Sequence, residues 1–318
     1  MMFKVSNRYA SRLAGLGLIA IASQAHASWT LTQADAHATT IHDTSVYEAD
    51  VGQRFASNDI VETASAAGLQ IQNDSGDVAA LGPGTRVLLA RDAHIALLQG
   101  WMKLLHGCGG ADCTAPVIET QRGRYTPGVN AAIVIAASPP GYDDADALFC
   151  ESGSVSVLPP ANVRGKPAAI QLSANQFIAR RASGPSTGVA PRPDAAFLAA
   201  MPVAFRDALH LLPAPKVVHD KPSETTRPVS YDDVSDWLQS SLGVRTQPGT
   251  RFTDRFRPRL SDAAFRHDID QHLGTLPEWR ALLYPPPPRT VKAPGQNATP
   301  RSAASSVPSV YRSMFLRP

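Results

Sequence analysis

Apolar and polar residues alternate with period two through much of the first half of this chain. Leu69-Gln70-Ile71-Gln72 alternates, and so do the pairs Val87/Leu89, Ile95/Leu97, Ile133/Ile135, Val155/Val157 and Ile170/Leu172. A period of two places every second side chain on one face of a strand. Turn-forming runs separate these stretches: Asn73-Asp74-Ser75-Gly76, Gly82-Pro83-Gly84, Ser138-Pro139-Pro140-Gly141 and Leu158-Pro159-Pro160. From about Tyr47 to Phe177 a strand is predicted roughly every ten residues, which implies a sandwich or a solenoid-like winding. Leu98 to Leu104 and Cys150 to Val157 share a weak pattern, in which one strand arrives at a glycine and a second leaves it.

The period changes after a linker rich in Gly, Pro and Ser near residue 183. Asp194 opens a short helical stretch through Phe197, Leu198 and Met201, interrupted at Pro202 and resumed from Phe205 to Leu209. Pro213 to Pro228 reads as extended. Ser230 then caps a helix carrying Val234, Trp237, Leu238 and Leu242 on one face, ending at Gly243. Ser261 is the expected cap of the next, with Leu260 packed on Phe265 and a stripe of Phe265, Ile269 and Leu273; Thr275 and Glu278 form an expected capping box for a third. Four consecutive prolines from Pro285 end the pattern. The predicted organisation is a leader over 1–27, a mainly β domain over 28–182, a helix-containing linker over 183–230, a small α-helical region over 231–284, and a disordered basic tail over 285–318.

The β segment resembles the FecR domain family, named for the periplasmic part of the ferric-citrate regulator. Its series of strands is matched in order by Asp59-Ile60-Val61-Glu62-Thr63, by Leu69-Gln70-Ile71 with Asp74 and Gly76, and by Leu81-Gly82-Pro83-Gly84-Thr85-Arg86-Val87. Leu98 to Leu104, Cys150 to Val157 and Leu172-Ser173-Ala174-Asn175-Gln176 continue it over about 130 residues. Val129-Asn130-Ala131-Ala132 matches the family's V-x-G-T strand only loosely, and the Cys108–Cys113 loop lies outside the pattern. The resemblance implies a β-rich binding or signalling module without enzymatic activity. Regulators of that family carry an anti-sigma segment and a membrane helix ahead of the domain; this sequence reads instead as a stand-alone secreted relative.

That reading comes from the N-terminus. Lys4, Arg8 and Arg12 precede an apolar run from Leu13 to Ala22, and Ala25-His26-Ala27 offers a cleavage site before Ser28. This is the form of a secretory signal peptide, and the apolar run is too short to span a bilayer. The expected location is the periplasm of a bacterium. An uncleaved signal, which would make an anchored regulator, is the alternative.

Composition first suggests a basic protein: 318 residues, 27 of them proline, with a net charge of +3 and a pI near 8.8. The three leader cations account for all of that excess. Residues 285–318 add five cations and no acid, which leaves 28–284 at a net −5. The basic pI therefore gives no support to nucleic-acid binding.

Candidate chemistry is sparse. Cys108 and Cys113 flank a glycine-rich loop and are the disulfide candidates, permitted in an oxidising compartment; pairing of Cys150 with either remains the alternative. His106-Gly107-Cys108 matches part of the active-site run of L,D-transpeptidases, the basis of an alternative reading as a cell-wall-acting cysteine enzyme or its accessory. Leu105, Gly109 and Gly110 depart from that run. No spacing suggests a metal or another cofactor. The densest cationic feature is Arg251-Phe252-Thr253-Asp254-Arg255-Phe256-Arg257-Pro258-Arg259. Read as alternating, it places Arg251, Arg255, Arg257 and Arg259 on one side as a patch for an anionic cell-wall polymer or an envelope protein. The other reading pairs these arginines with nearby aspartates.

Overall fold

The computed structural model describes residues 28–286, apart from 92, 109–112, 161–167, 182–187 and 221–224. The expected signal peptide and nearly all of the expected tail lie outside these residues. The protein is mainly β, with a curled, largely antiparallel sheet and a few helices toward the C-terminus.

The strands are β1 (Trp29–Ala34), β2 (Ala38–His42), β3 (Ser45–Ala49), β4 (Arg54–Phe55), β5 (Asp59–Glu62), β6 (Leu69–Asn73), β7 (Val78–Leu81), β8 (Arg86–Leu89) and β9 (His94–Leu105). They continue with β10 (Val117–Thr120), β11 (Gly123–Pro127), β12 (Ala132–Ala137), β13 (Ala145–Ser152), β14 (Ser154–Leu158), β15 (Ile170–Ser173), β16 (Phe177–Arg181) and β17 (Thr225–Pro228). One layer runs β4-β1-β6-β7-β9-β12-β13-β16. The other runs β17-β3-β2-β5-β8-β9-β10-β11-β14-β15. Only β9 and β10 pair in parallel.

The twelve-residue β9 belongs to both layers. Its first half pairs with β8, and its second half, from Gly100, pairs with β12 and β7. A register shift opposite Arg86 and Val87 reverses which residues face inward. Ile95 and Leu97 point into the space between the layers before it, Met102 and Leu104 after it. A single bulge thus lets one strand serve two sheets. Gly100 makes it possible with a φ of +105°, where only glycine is unstrained. The related pattern at Cys150 to Val157 does break into two strands, with Gly153 at φ +72° between them.

Central strands bury both faces, so three apolar clusters form. The first lies between the layers and includes Leu31, Ile71, Val87, Ile133 and Leu148. The second covers the outer face of β5 and β8 (Ile60, Leu88) with the helical region. The third covers the outer face of β12 and β13 (Val134, Ala147) with Phe197, Met201 and Phe205. Each large apolar side chain buried this way contributes roughly 1.5–3 kcal/mol before entropy is counted.

The helices are α1 (Ala195–Ala200), α2 (Tyr231–Gln239), α3 (Phe252–Phe256), α4 (Ala263–Gln271) and α5 (Arg280–Leu283). Asp194 caps α1, and Ser230 caps α2 in a reciprocal box with Asp233. After α1, residues 201–220 form a strap that covers the third cluster with Met201 and Phe205 and reaches the β4 edge at His219. The structure corrects several local expectations. The turn after Pro202 spans only Val203–Arg206. Helix α2 ends at Gln239 rather than Gly243. Asp262, not Ser261, caps α4, because its carboxylate accepts from the Ala264 and Phe265 amides. Thr275 bonds back to the His272 carbonyl instead of opening a capping box. The arginine-rich run forms α3 and a 3-10 turn over Arg257–Ser261, which replaces the alternating arrangement. Among the described residues no helix is long and apolar enough to cross a membrane.

Candidate functional site

A polar cleft of about 450 Å³ opens where the helical region meets the β layers. Its walls come from the β2–β3 turn (Asp43), the β4–β5 turn and the start of β5 (Asn58, Asp59), and the cap and body of α3 (Arg251, Asp254, Arg255). Both turns use the left-handed backbone region, at φ +49° for Asp43 and +75° for Asn58, a conformation that Asn and Asp tolerate better than most residues.

Arg255 closes the cleft. Nε donates to the Asp43 carbonyl at 2.9 Å, Nη1 to the Asn58 carbonyl at 2.6 Å, and Nη2 to the Ile41 carbonyl at 2.9 Å. The guanidinium also lies over the Phe256 ring. Burial pulls its pKa down to about 10, against the pull of Asp59 and Asp43, and it stays cationic at neutral pH. Asp59, almost wholly buried, accepts from the Ala56 amide at 2.8 Å and pairs with His42 Nδ1 at 2.7 Å. The hydrogen bond to Asp59 raises the His42 pKa above 6.5 despite partial burial.

The four arginines divide into two kinds. Arg255 holds main-chain carbonyls, while Arg259 donates to the Val229 carbonyl and to Asp262. Arg251 is exposed, with a loose 3.6 Å approach to Asp254 and a long 3.5 Å bond to the Thr246 carbonyl, and Arg257 is exposed as well. Two further ties anchor the helical region. Arg86 reaches Glu62, Asp236 and the Asp233 carbonyl, and the buried Glu119 accepts from the Gly243 amide at 2.7 Å. The sequence pointed to none of Asp43, Asn58 and Glu119; Asp254 entered only as an expected partner of the arginine run, and Arg86 only as a member of the Leu81–Val87 motif. The one local signal among them is the Ser57-Asn58-Asp59 turn.

Cys108 and Cys113 stand as thiols in hydrogen-bond contact, with no disulfide joining them. That contact, more than burial, raises the Cys113 pKa to about 11, the opposite of what a nucleophilic thiolate requires. Cys113 also donates weakly to the Gly107 carbonyl. Beside the loop, His106 is sealed in the interior with its Nδ1 at 2.6 Å from the equally buried Asp77. Cys150 is a buried member of the central core.

A second surface feature lies on the strap. Lys103, 1% exposed, donates to Glu151 and to the Phe205 and Asp207 carbonyls, each at 2.8 Å. The strap nonetheless leaves Val203, Leu211, Val217 and Val218 in solvent, four of the ten exposed large apolar side chains among the described residues, and Leu198 of α1 is exposed just ahead of it. Val203 is 72% exposed and Leu211 65%.

No protein-family model matches the chain, and no curated protein matches it. Two crystal structures of a proposed anti-sigma factor from Parabacteroides distasonis, at 2.50 and 1.65 Å, are similar to it in part. They share 15% and 16% sequence identity with it at a TM-score of 0.33, over 40% of this chain. The chain spans about 57% of the length of those proteins.

Proposed function

We propose that this protein is an exported, FecR-like module of the bacterial cell envelope that binds a partner protein and acts as a scaffold or signalling element, not as an enzyme. The observation that carries this reading is the strap. Exposed apolar surface concentrated in one region of a folded protein marks an interaction site. Here four exposed apolar side chains fall on one segment of the chain, and a buried lysine ties that segment to the β layers at Phe205 and Asp207. The resemblance supports it too. Its motifs fall in order on β5, β6, β7 with β8, β9, β13 with β14, and β15.

The test is photo-crosslinking in the native envelope, with a photoreactive residue at Val203 or Leu211 and, as control, at the exposed Val129 far along the sequence. One discrete adduct formed from the strap and not from Val129 is the expected result. Equal, diffuse labelling from all three positions ends the reading. N-terminal sequencing of the exported chain checks the location: a start at Ser28 is expected, and an intact Met1 in a membrane fraction favours the anchored regulator.

A further inference from the structure

We infer that the cleft at the junction of the β layers and α3 binds a small zwitterion, a free peptide of two or three residues carrying both an ammonium and a carboxylate group. This goes beyond the partner-binding reading and does not depend on it, since the strap and the cleft have no residue in common.

The volume comes first. About 450 Å³ lies within the range of small-ligand sites and holds a di- or tripeptide. The donors come next. Arg255 is fixed by three main-chain carbonyls, which use Nε and one hydrogen on each terminal nitrogen. Two of its five N–H groups are left over among the described residues. A guanidinium immobilised in this way is pre-organised to receive a carboxylate, because its rotamers are already fixed. Arg251 adds a second cation on the same wall.

The acceptors set the other half of the specificity. Asp43 and Asp254 project carboxylates that are 88% and 73% exposed, each held only by a long pairing, to His42 at 3.7 Å and to Arg251 at 3.6 Å. Asn58, also on the wall, donates through Nδ2 to the Gly249 carbonyl at 3.1 Å and leaves Oδ1 without a partner among the described residues. Asp59 is committed to His42 and the Ala56 amide, so it contributes field rather than a contact. The cleft therefore presents two cations and two loosely paired carboxylates around one space. A simple anion would meet the aspartates, and a simple cation would meet the arginines. A molecule bearing both charges satisfies both sets. A neutral sugar offers no charge to either set.

The test is calorimetric titration of the full chain at pH 7 with L-alanyl-L-alanine, its N-acetyl derivative and its C-terminal amide. Saturable binding of the free dipeptide is expected, with each blocked form at least tenfold weaker. R251Q and D254N change exposed side chains, and each is expected to weaken binding at least fivefold with an unchanged urea midpoint. Arg255 is left intact because it also holds the fold. Absence of saturable binding overturns the proposal, as does equal affinity for the free and blocked dipeptides or for the parent and both variants. Crosslinking at the strap is read separately, so either proposal can fail alone.

Discussion

Gly100 lies so close to Thr85 that a β-carbon on it would stand 2.4 Å from the threonine hydroxyl and 2.5 Å from its Cα. The same hydroxyl accepts from the Trp101 amide at 2.9 Å and donates to the Trp101 carbonyl at 3.1 Å. The point where β9 passes from one layer to the other is thus pinned by a side chain and left open by a missing one. Gly100→Ala adds both a clash with backbone and a left-handed strain, so a loss of about 3 kcal/mol or more is expected. Urea unfolding of the full chain measures it. A midpoint within error of the parent contradicts the assigned role of the bulge.

Lys103 predicts a different kind of failure. Its ammonium is compensated by Glu151 and two strap carbonyls, so Lys103→Met leaves a partly buried carboxylate and two carbonyls unmatched. Removing one partner of a buried ion pair costs about 3–5 kcal/mol, less here because Glu151 keeps some exposure to water. The strap should loosen before the β layers do. Limited proteolysis should then cut between Met201 and Leu212 in the variant well before any cut in β12 or β13. Simultaneous digestion of strap and sheet would show that Lys103 is not a local clasp.

The His42–Asp59 pair gives a pH dependence with a defined sign. His42 binds its proton more tightly in the folded chain than in the unfolded one, because Asp59 accepts a hydrogen bond from it. The linked stabilisation is complete below about pH 6.5, where both states are protonated, and disappears as the pH rises through the raised folded value. The urea midpoint should therefore fall between pH 6 and pH 8, and the fall should be smaller in His42→Ala. Glu62 and Asp146 are also raised, chiefly by burial, and act in the same sense, so the comparison with His42→Ala isolates the pair. An identical slope in His42→Ala removes the pair as its source.

The cysteine loop is checked by reactivity. With the Cys113 pKa held at about 11, its alkylation by iodoacetamide should keep accelerating to above pH 10 in the reduced protein. Cys108→Ser weakens the contact that holds it there and should move the profile down toward the ordinary value of 9. A parent profile that levels off near pH 7 would contradict the raised Cys113 value. Non-reduced peptide mapping of exported material tests the Cys108–Cys113 bond directly.

How much of this was legible depended on whether a local signal existed. The alternation at Leu69/Ile71, Val87/Leu89 and Ile133/Ile135 predicted strands that form, because buried faces enforce period two. Strand β9 was read as two strands because Gly100 interrupts the period. A bulge has the same local signature as a break, and only pairing with both layers distinguishes them. Ser261 and Asp262 are adjacent residues of the same capping class, so the cap was misplaced by one. The cleft was legible only on its arginine wall and at the Ser57-Asn58-Asp59 turn: Asp43, Asn58 and Asp254 are brought together by packing between segments far apart in the chain.

The arginine run is the sharpest case, and it yields the last prediction. Phe252 and Phe256 are four apart, a spacing that satisfies both a strand period of two and a helical period near 3.6. The choice falls to the helix because both rings enter the second cluster beside Trp237, and a short helix delivers them to one side. That choice turns Arg255 inward onto three carbonyls and leaves Arg257 in solvent. A patch of four equivalent cations would make their removal interchangeable. The structure makes it unequal. Arg255→Ala strips three charge-assisted bonds from the junction and should cost about 2–4 kcal/mol, with hydrogen-exchange protection lost first in α3 and the β2–β3 turn. Arg257→Ala should stay within about 0.5 kcal/mol of the parent. A retention assay on purified cell-wall sacculi therefore has to remove Arg251 and Arg257, since loss of Arg255 would weaken the fold along with any binding. Equal destabilisation by Arg255→Ala and Arg257→Ala would refute the division of the run into a clamp and a free surface.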